Sequence, residues 1–321
     1  PDVGYMYNEM FYDFIEMGAL ENIDSYFTDE EKANYNYWDL GTMQGGQYSL
    51  PFVVGSARVL YFNQDILDKA GVTKLPETWQ DFVDVIKQIR AANLPDVTAF
   101  AQSWTGTSLG SMNELYYPYL WQAGGELYNA DGSEVALMDN DAAVKAAQFL
   151  YDLKYTEKIL DETATAQDDF MSGKLAIIMN PSSMGASFTE AGINWSFVPS
   201  LTDARKAIWV ASDALIMNSA SQNKELAASL MKFITSADTM TAFHTELSSY
   251  PPITKDEPYN DNPAFQDMYE NQGADFHSMP VASGAFKMMD ALYKNLQLMM
   301  LDQLTPEQAI QNTVDYVNSI K

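Results

Sequence analysis

GQYSLPFVVGSARVLYFNQDILDKAGVTKLPETW, residues 46–79, decides how this chain folds. Leu50 to Phe62 is rich in Val, Leu and aromatics with no strict polar alternation, the pattern of a strand covered on both faces, as in a parallel sheet. The run ends at Tyr61-Phe62-Asn63 and leads into a short helix closed by Ala70-Gly71. Pro76-Glu77-Thr78-Trp79 opens the next helix. Thr78 is a good N-cap, and Asp81 can return the bond as in a capping box, where Glu or Gln is more usual. Phe82, Ile86 and Ile89 then repeat at helical spacing. Strand, helix and helix N-cap in this order mean α/β construction.

Outward from this stretch, residues 1 to about 52 read as a strand, helices around Phe11 to Gly18 and Thr28 to Tyr35, and a Gly-rich turn at Gly41 to Gly46. Near the end, Phe286, Met289, Tyr293, Leu296 and Met300 form one helical stripe and Ile310, Val314 and Val317 a second, both read as core packing. Trp38, Trp79, Trp121 and Trp195 are assigned to cores or lobe surfaces, and the tandem Tyr116-Tyr117 to structure. At 321 residues the chain exceeds the size at which single cores stop growing, so two domains are expected, and 47% hydrophobic residues suffice to bury both cores.

Charge and composition exclude several functions. The net charge is −26, with 44 acidic residues against 18 basic ones spread along the chain. Such a surface is soluble and repels phosphate backbones and anionic headgroups, so no nucleic-acid partner is expected. No apolar stretch approaches the roughly 20 residues that cross a bilayer. The chain opens at Pro1 without a signal-peptide pattern, so it is either cytoplasmic or has had an export segment removed. Zero Cys excludes disulfides, thiolate metal sites and cysteine nucleophiles.

Catalytic signatures are missing as well: there is no G-x-G-x-x-G after a strand, no G-x-x-x-x-G-K-[ST], no H-E-x-x-H and no G-x-S-x-G. His244 and His277 have no pairing pattern and read as ordinary surface or helix residues. Asp168-Asp169 and Glu30-Glu31 are carboxylate pairs, but Thr28 followed by Asp29, Glu30 and Glu31 is explained by helix capping and dipole compensation. Asn129 to Glu134 and Asp139 to Asp141 offer oxygens without the spacing of a calcium loop. They read instead as a tight turn at Asp131-Gly132 and an N-cap, Asp139 or Asp141, for the helix through Val144, Leu150 and Leu153. No enzyme activity, cofactor or metal is expected.

The order of parts from Gly46 to Trp79 resembles that of the carbohydrate-type substrate-binding proteins of ATP-binding-cassette (ABC) importers, the maltose-binding-protein-like family 1 of extracellular solute-binding proteins. Their usual pattern here is Y-G-x-P, a strand, Y-Y-N-K-D, A-G and P-x-T-W; Phe62 and Gln64 replace the commoner Tyr and Lys. Phe170-Met171-Ser172-Gly173-Lys174-Leu175-Ala176-Ile177 resembles the family's F-x-x-G-K-x-A-M. Asn218 to Glu225 resembles its N-K-E-x-A helix start, continuing through Leu226, Leu230, Phe233 and Ile234, and Thr305-Pro306-Glu307-Gln308-Ala309 opens a last helix. The resemblance implies a two-lobed α/β, periplasmic-binding-protein-like (type II) fold with a hinge of about three crossings, near Phe52 to Gly55, Ala211 to Ala214 and Lys255 to Pro263. Residues 1–53 with 213–262 would form the first lobe and 54–212 with 263–321 the second. The Pro1-Asp2-Val3 opening is similar to the family's second first-lobe strand, which implies that a first strand–helix unit is missing here.

By the same resemblance, the chain is the solute-binding component of an ABC transporter. It would capture a mono- or oligosaccharide between its lobes and deliver it, as a monomer and without catalysis, to a membrane permease. An extracellular bacterial location is implied, as a Gram-positive lipoprotein or a periplasmic protein. Sugar recognition needs flat apolar surfaces for ring C–H faces and carboxylates or amides for the hydroxyls. Carried over by position, the ligand-binding candidates are Tyr7, Asn8 and Glu9 after the first strand, Gln102 and Trp104 after Ala101, and Asn180, Ser182 and Ser183 after Ile177-Ile178-Met179. Trp209 and Asp213 on the returning hinge strand and Phe286 at the C-terminal helix complete the set. Ser182 stands where many relatives place a stacking Trp, which argues against long maltodextrin-like ligands. Three alternatives stay open: a receptor for a non-sugar solute such as a polyamine or phosphorylated compound, a glycoside-processing enzyme with two cleft carboxylates, and a non-binding adhesin or scaffold.

Overall fold

A computed structural model describes residues 1–7, 10–43, 45–104, 109–130, 132–246, 250–259 and 263–320. Its strands are β1 (Val3–Met6), β2 (Thr42–Met43), β3 (Gly46–Gln47), β4 (Ser49–Asn63), β5 (Thr98–Gln102), β6 (Asp161–Glu162), β7 (Leu175–Pro181), β8 (Trp195–Val198), β9 (Ile208–Met217) and β10 (Phe276–His277). The helices of the N-terminal half are α1 (Phe11–Glu16), α2 (Asp29–Asn34), α3 (Gln64–Lys69), α4 (Trp79–Ala91), α5 (Met112–Leu115), α6 (Tyr117–Gln122) and α7 (Ala142–Tyr151). Those of the C-terminal half are α8 (Ala166–Met171), α9 (Met184–Glu190), α10 (Lys224–Ile234), α11 (Ala237–Glu246), α12 (Pro263–Asn271), α13 (Ala285–Met300) and α14 (Pro306–Ser319).

β4 is the spine of the molecule. Its first half, Ser49 to Ala57, pairs antiparallel with β9, and its second half, Arg58 to Phe62, pairs antiparallel with β7. β1 lies on the far side of β9, with Val3 opposite Met217 and Met6 opposite Ala214. β5 runs parallel to β7, and the sheet path is β1-β9-β4-β7-β5-β6. The expectation of a strand buried on both faces holds for β4, but its neighbours are antiparallel rather than parallel. An apolar run reports that both faces are covered and is silent about the direction of the partner.

The alternation of side chains explains why the run has no polar face. Leu60 and Phe62 enter the largest core, with Phe82, Ile86, Tyr116, Leu150 and Leu292, while Val59 and Tyr61 enter a separate cluster with Phe170, Phe188 and Phe265. β9 does the same further along: Leu215 and Met217 pack with Ile23, Phe27 and Met231, and Ala214 and Ile216 with Phe11 and Ile15. Separate core clusters thus hang along the two long strands at the centre of this two-lobed α/β fold. Midway along its pairing with β9, β4 is irregular, its register shifting between Pro51 and Val53 and again between Val54 and Ala57. Gly55 sits there at φ +85°, and a Cβ would lie 2.5 Å from Pro251 Cγ, so the position needs glycine on both counts.

Helix starts follow the sequence closely. Thr78 and Asp81 exchange both bonds of a capping box, as do Thr28 with Glu31 and Thr305 with Gln308. Asp141 is the N-cap residue of α7, as expected, but its side chain makes no capping bond, and Asn140 Oδ1 accepts from the Ala142 N–H at 2.9 Å instead. Of the expected Asp131-Gly132 turn, Asp131 lies outside the described residues, and Gly132 N donates to Asn129 O at 3.0 Å. Leu226, Leu230 and Phe233 of α10 are exposed by 70%, 46% and 66%, because Ala227, Ala228 and Met231 form the face that packs on β9. His244 is also not an ordinary surface residue. It is buried and its Nδ1 pairs with the equally buried Glu257 carboxylate.

Candidate ligand-binding cleft

The crossing strands bring polar and aromatic side chains from distant parts of the chain to one cavity of about 740 Å³. Tyr5 and Tyr7 reach it from β1 and the loop after it, Arg58 from β4, and Glu114 from α5. Trp209 and Asp213 come from β9, and Phe286 from the first turn of α13. Phe243, Tyr250 and Met279 complete the apolar wall. Asp213 sits opposite Val53 in the β4–β9 ladder, at the irregular part of β4, so its position is fixed by strand register.

Arg58 organises the floor. Its Nε donates to Glu114 Oε1 at 2.6 Å, and its guanidinium carbon lies 4.5 Å from the centre of the Trp209 ring. Trp209 is only 6% exposed, and its indole N–H is buried without a hydrogen-bond partner among the described residues. Burial pushes the Glu114 carboxyl above the usual carboxylate range, against the opposing pull of Arg58. On the other wall the Tyr5 hydroxyl donates to Asp213 Oδ2 at 2.5 Å. Burial pushes Asp213 up to about 6, with the Tyr5 hydrogen bond and the Arg58 charge opposing it. The Tyr5 hydroxyl is itself pushed far up, first by burial and then by Asp213.

A smaller cavity of about 390 Å³ adjoins the first, sharing Ser111, Glu114 and Pro181 with it. Gln102, Gln167 and Asn180 line this annex. Gln102 Oε1 accepts from the Trp104 indole at 3.2 Å, while its Nε2 is buried without a partner among the described residues.

Tyr7, Trp209, Asp213 and Phe286 therefore meet in the main cavity, and Gln102 and Asn180 in the annex. Asn8 and Glu9 lie outside the described residues. The fold puts Trp104 elsewhere: it is 3% exposed, packs in the largest core and lines a different cavity with Glu162 and Lys294. Ser182 is turned away too, its Oγ 2.6 Å from the Tyr269 hydroxyl and its N–H bonded to Ala57 O. Ser183 precedes α9 and lines neither cavity. Sequence reading missed Tyr5, Arg58 and Glu114. Arg58 carried a usable signal, since it is the one charged residue in the apolar run from Ser49 to Asn63, and a charge on a covered strand needs a partner or a task.

Residues 1–241 match the family described as bacterial extracellular solute-binding protein. The chain belongs to that family. A binding protein of Brucella abortus (strain 2308) is 24% identical over 330 residues, which cover 96% of this chain and 76% of the relative. Among solved structures, an ABC substrate-binding protein from Listeria monocytogenes in complex with cycloalternan superposes with a TM-score of 0.85 at 22% identity, over 100% of this chain and 84% of its own. A solute-binding protein of an ABC transporter from Thermotoga lettingae, bound with α-D-tagatose, gives 0.84 at 24% identity, over 100% and 85%. At these identities the structural likeness establishes the two-lobed fold. No helix among the described residues is long and apolar enough to cross a membrane, and no group of three or more acidic or His side chains among them is placed to hold a metal ion.

Proposed function

We propose that this protein captures a mono- or oligosaccharide in the cleft between its lobes and delivers it to the membrane permease of an ABC importer. The observation that carries the reading is the convergence of Tyr7, Trp209 and Phe286 with Asp213 and the Arg58–Glu114 pair on one cavity at the strands that join the lobes. Aromatic faces suit the C–H surfaces of a sugar ring, and carboxylates accept from its hydroxyls. The saccharides named with the two solved relatives are in keeping with this. We take residues 1–53 with 213–262 as the first lobe and 54–212 with 263–321 as the second, a division supported by the separate hydrophobic clusters on the two ends of β4 and β9. Closure then follows from differential affinity: a ligand that touches both lobes only when they are shut pulls the equilibrium toward the shut state. The protein acts as a monomer outside the membrane, as a lipoprotein or a periplasmic protein, and returns its ligand unchanged.

Titration against a saccharide panel, followed by intrinsic Trp fluorescence, tests the reading. Two carboxylates among the described residues, Glu114 and Asp213, line the cleft, so the bound sugar is also recovered and analysed. A saturable response with intact sugar is expected. Hydrolysis that copurifies with the protein would overturn it in favour of a glycoside-processing enzyme.

A further inference from the structure

The charges on the main cavity do not balance. Among the described residues its lining holds one cation, Arg58, and two carboxylates, Glu114 and Asp213. Arg58 is committed to Glu114 at 2.6 Å and lies over Trp209. The hydrogen bond at Asp213 comes from the neutral Tyr5 hydroxyl, which orients the carboxylate without cancelling its charge. Asp213 is partly buried already, feels Arg58 only at a distance, and would lose more water as the lobes close, which is costly for a carboxylate with no cation in contact among the described residues. A neutral hydroxyl donated by a sugar would leave that charge in place. A cation would remove it.

The rest of the wall favours the same solution. Tyr7, Phe243 and Tyr250 line the same cavity as Asp213, and aromatic faces attract ammonium groups as well as sugar rings. The whole molecule carries a net charge of −26, a field that concentrates cations and speeds their approach. We propose that the solute is a saccharide bearing a protonated amino group, with the ammonium seated against Asp213 and the surrounding aromatic rings. The inference rests on the saccharide reading above and narrows it to basic sugars.

Matched pairs test it at neutral pH: glucosamine against glucose, galactosamine against galactose, and the glucosamine dimer against cellobiose, with spermidine as a non-sugar cation. In the pair that binds tightest, the amino sugar is expected to bind at least about tenfold more tightly, a charge-assisted bond against a neutral one. That preference should shrink to within about twofold in Asp213→Asn and should fall as salt is raised on the unaltered protein, which needs no variant. Equal or tighter binding of the neutral partner overturns the proposal and leaves the saccharide reading intact. So does an amino-sugar preference that neither salt nor Asp213→Asn reduces. Spermidine binding without sugar binding, or no binding of any probe, overturns both.

Discussion

The Arg58 guanidinium sits over the Trp209 ring, 4.5 Å from its centre, while its Nε holds Glu114 at 2.6 Å. One side chain thus fixes an aromatic wall and an acid of the same cavity, although the three residues come from β4, β9 and α5. Replacing it by Lys keeps a positive charge but loses the planar fork and the ring coverage. Arg58→Lys is expected to lower stability by up to about 1.5–3 kcal/mol in urea denaturation, the range for hydrogen bonds to charged groups, and to weaken ligand binding. Unchanged stability and affinity together would show that the pair is incidental.

Phe286 and Trp209 should separate binding from folding. Phe286 is 47% exposed on the cleft side of α13, whereas Trp209 is nearly buried. Phe286→Ala should leave stability within about 0.5 kcal/mol while costing on the order of 1–3 kcal/mol of binding, as loss of an aromatic anchor does. Trp209→Ala should cost both. Thermal melts and titration calorimetry on the two variants decide the matter, and a Phe286→Ala protein with full affinity would remove α13 from the site.

Asp213 gives a pH dependence whose sign follows from its surroundings. Tyr5, Tyr7 and Tyr250, with Arg58 and Glu114, line the same cavity from other elements, and burial pushes Asp213 up to about 6, well above the usual carboxylate range. The folded protein therefore binds more protons than the unfolded chain between about pH 4 and 6. This group's contribution to stability falls as pH rises through that window and stays unfavourable above it. Asp213→Asn should accordingly raise stability at pH 7 by on the order of 1–3 kcal/mol relative to the unaltered protein, and the gain should vanish near pH 4. A gain that is flat from pH 4 to 7 in parallel denaturation curves would show that burial is not the cause.

The sequence was most readable where local chemistry decides the outcome. Thr78, Thr28 and Thr305 announce helix starts by short-range hydrogen bonds, and all three form capping boxes. The run from Leu50 to Phe62 announces a covered strand because each face meets its own core. Aromatic site residues were less readable. Trp104 and Trp209 look alike in sequence and are both buried in the largest core, yet they line different cavities, and only the path of β9 carries Trp209 to the main one. Leu226, Leu230 and Phe233 show the same limit, since small Ala227 and Ala228 let α10 approach β9 closely and leave the larger side chains outside.

The hinge-side pair His244–Glu257 yields the sharpest stability test. His244 lies in α11 and Glu257 in the loop that leads toward α12, and both side chains are buried. The second Glu257 oxygen accepts from Ile253 N at 3.1 Å, so the carboxylate ties the loop to itself and to α11 at once. Removing the imidazole leaves that buried carboxylate with a backbone donor but no side-chain partner among the described residues. His244→Phe is therefore expected to cost about 3–5 kcal/mol, the penalty for orphaning one member of a buried pair, whereas His244→Phe with Glu257→Leu should recover a large part of that loss. Tyr250, on the same loop, lines the cleft, so the single variant should also bind ligand more weakly while the double variant regains less of its affinity than of its stability. Urea denaturation of both variants checks the first claim. Additive losses in the double variant would mean that the two side chains act independently, and the loop would then need another anchor.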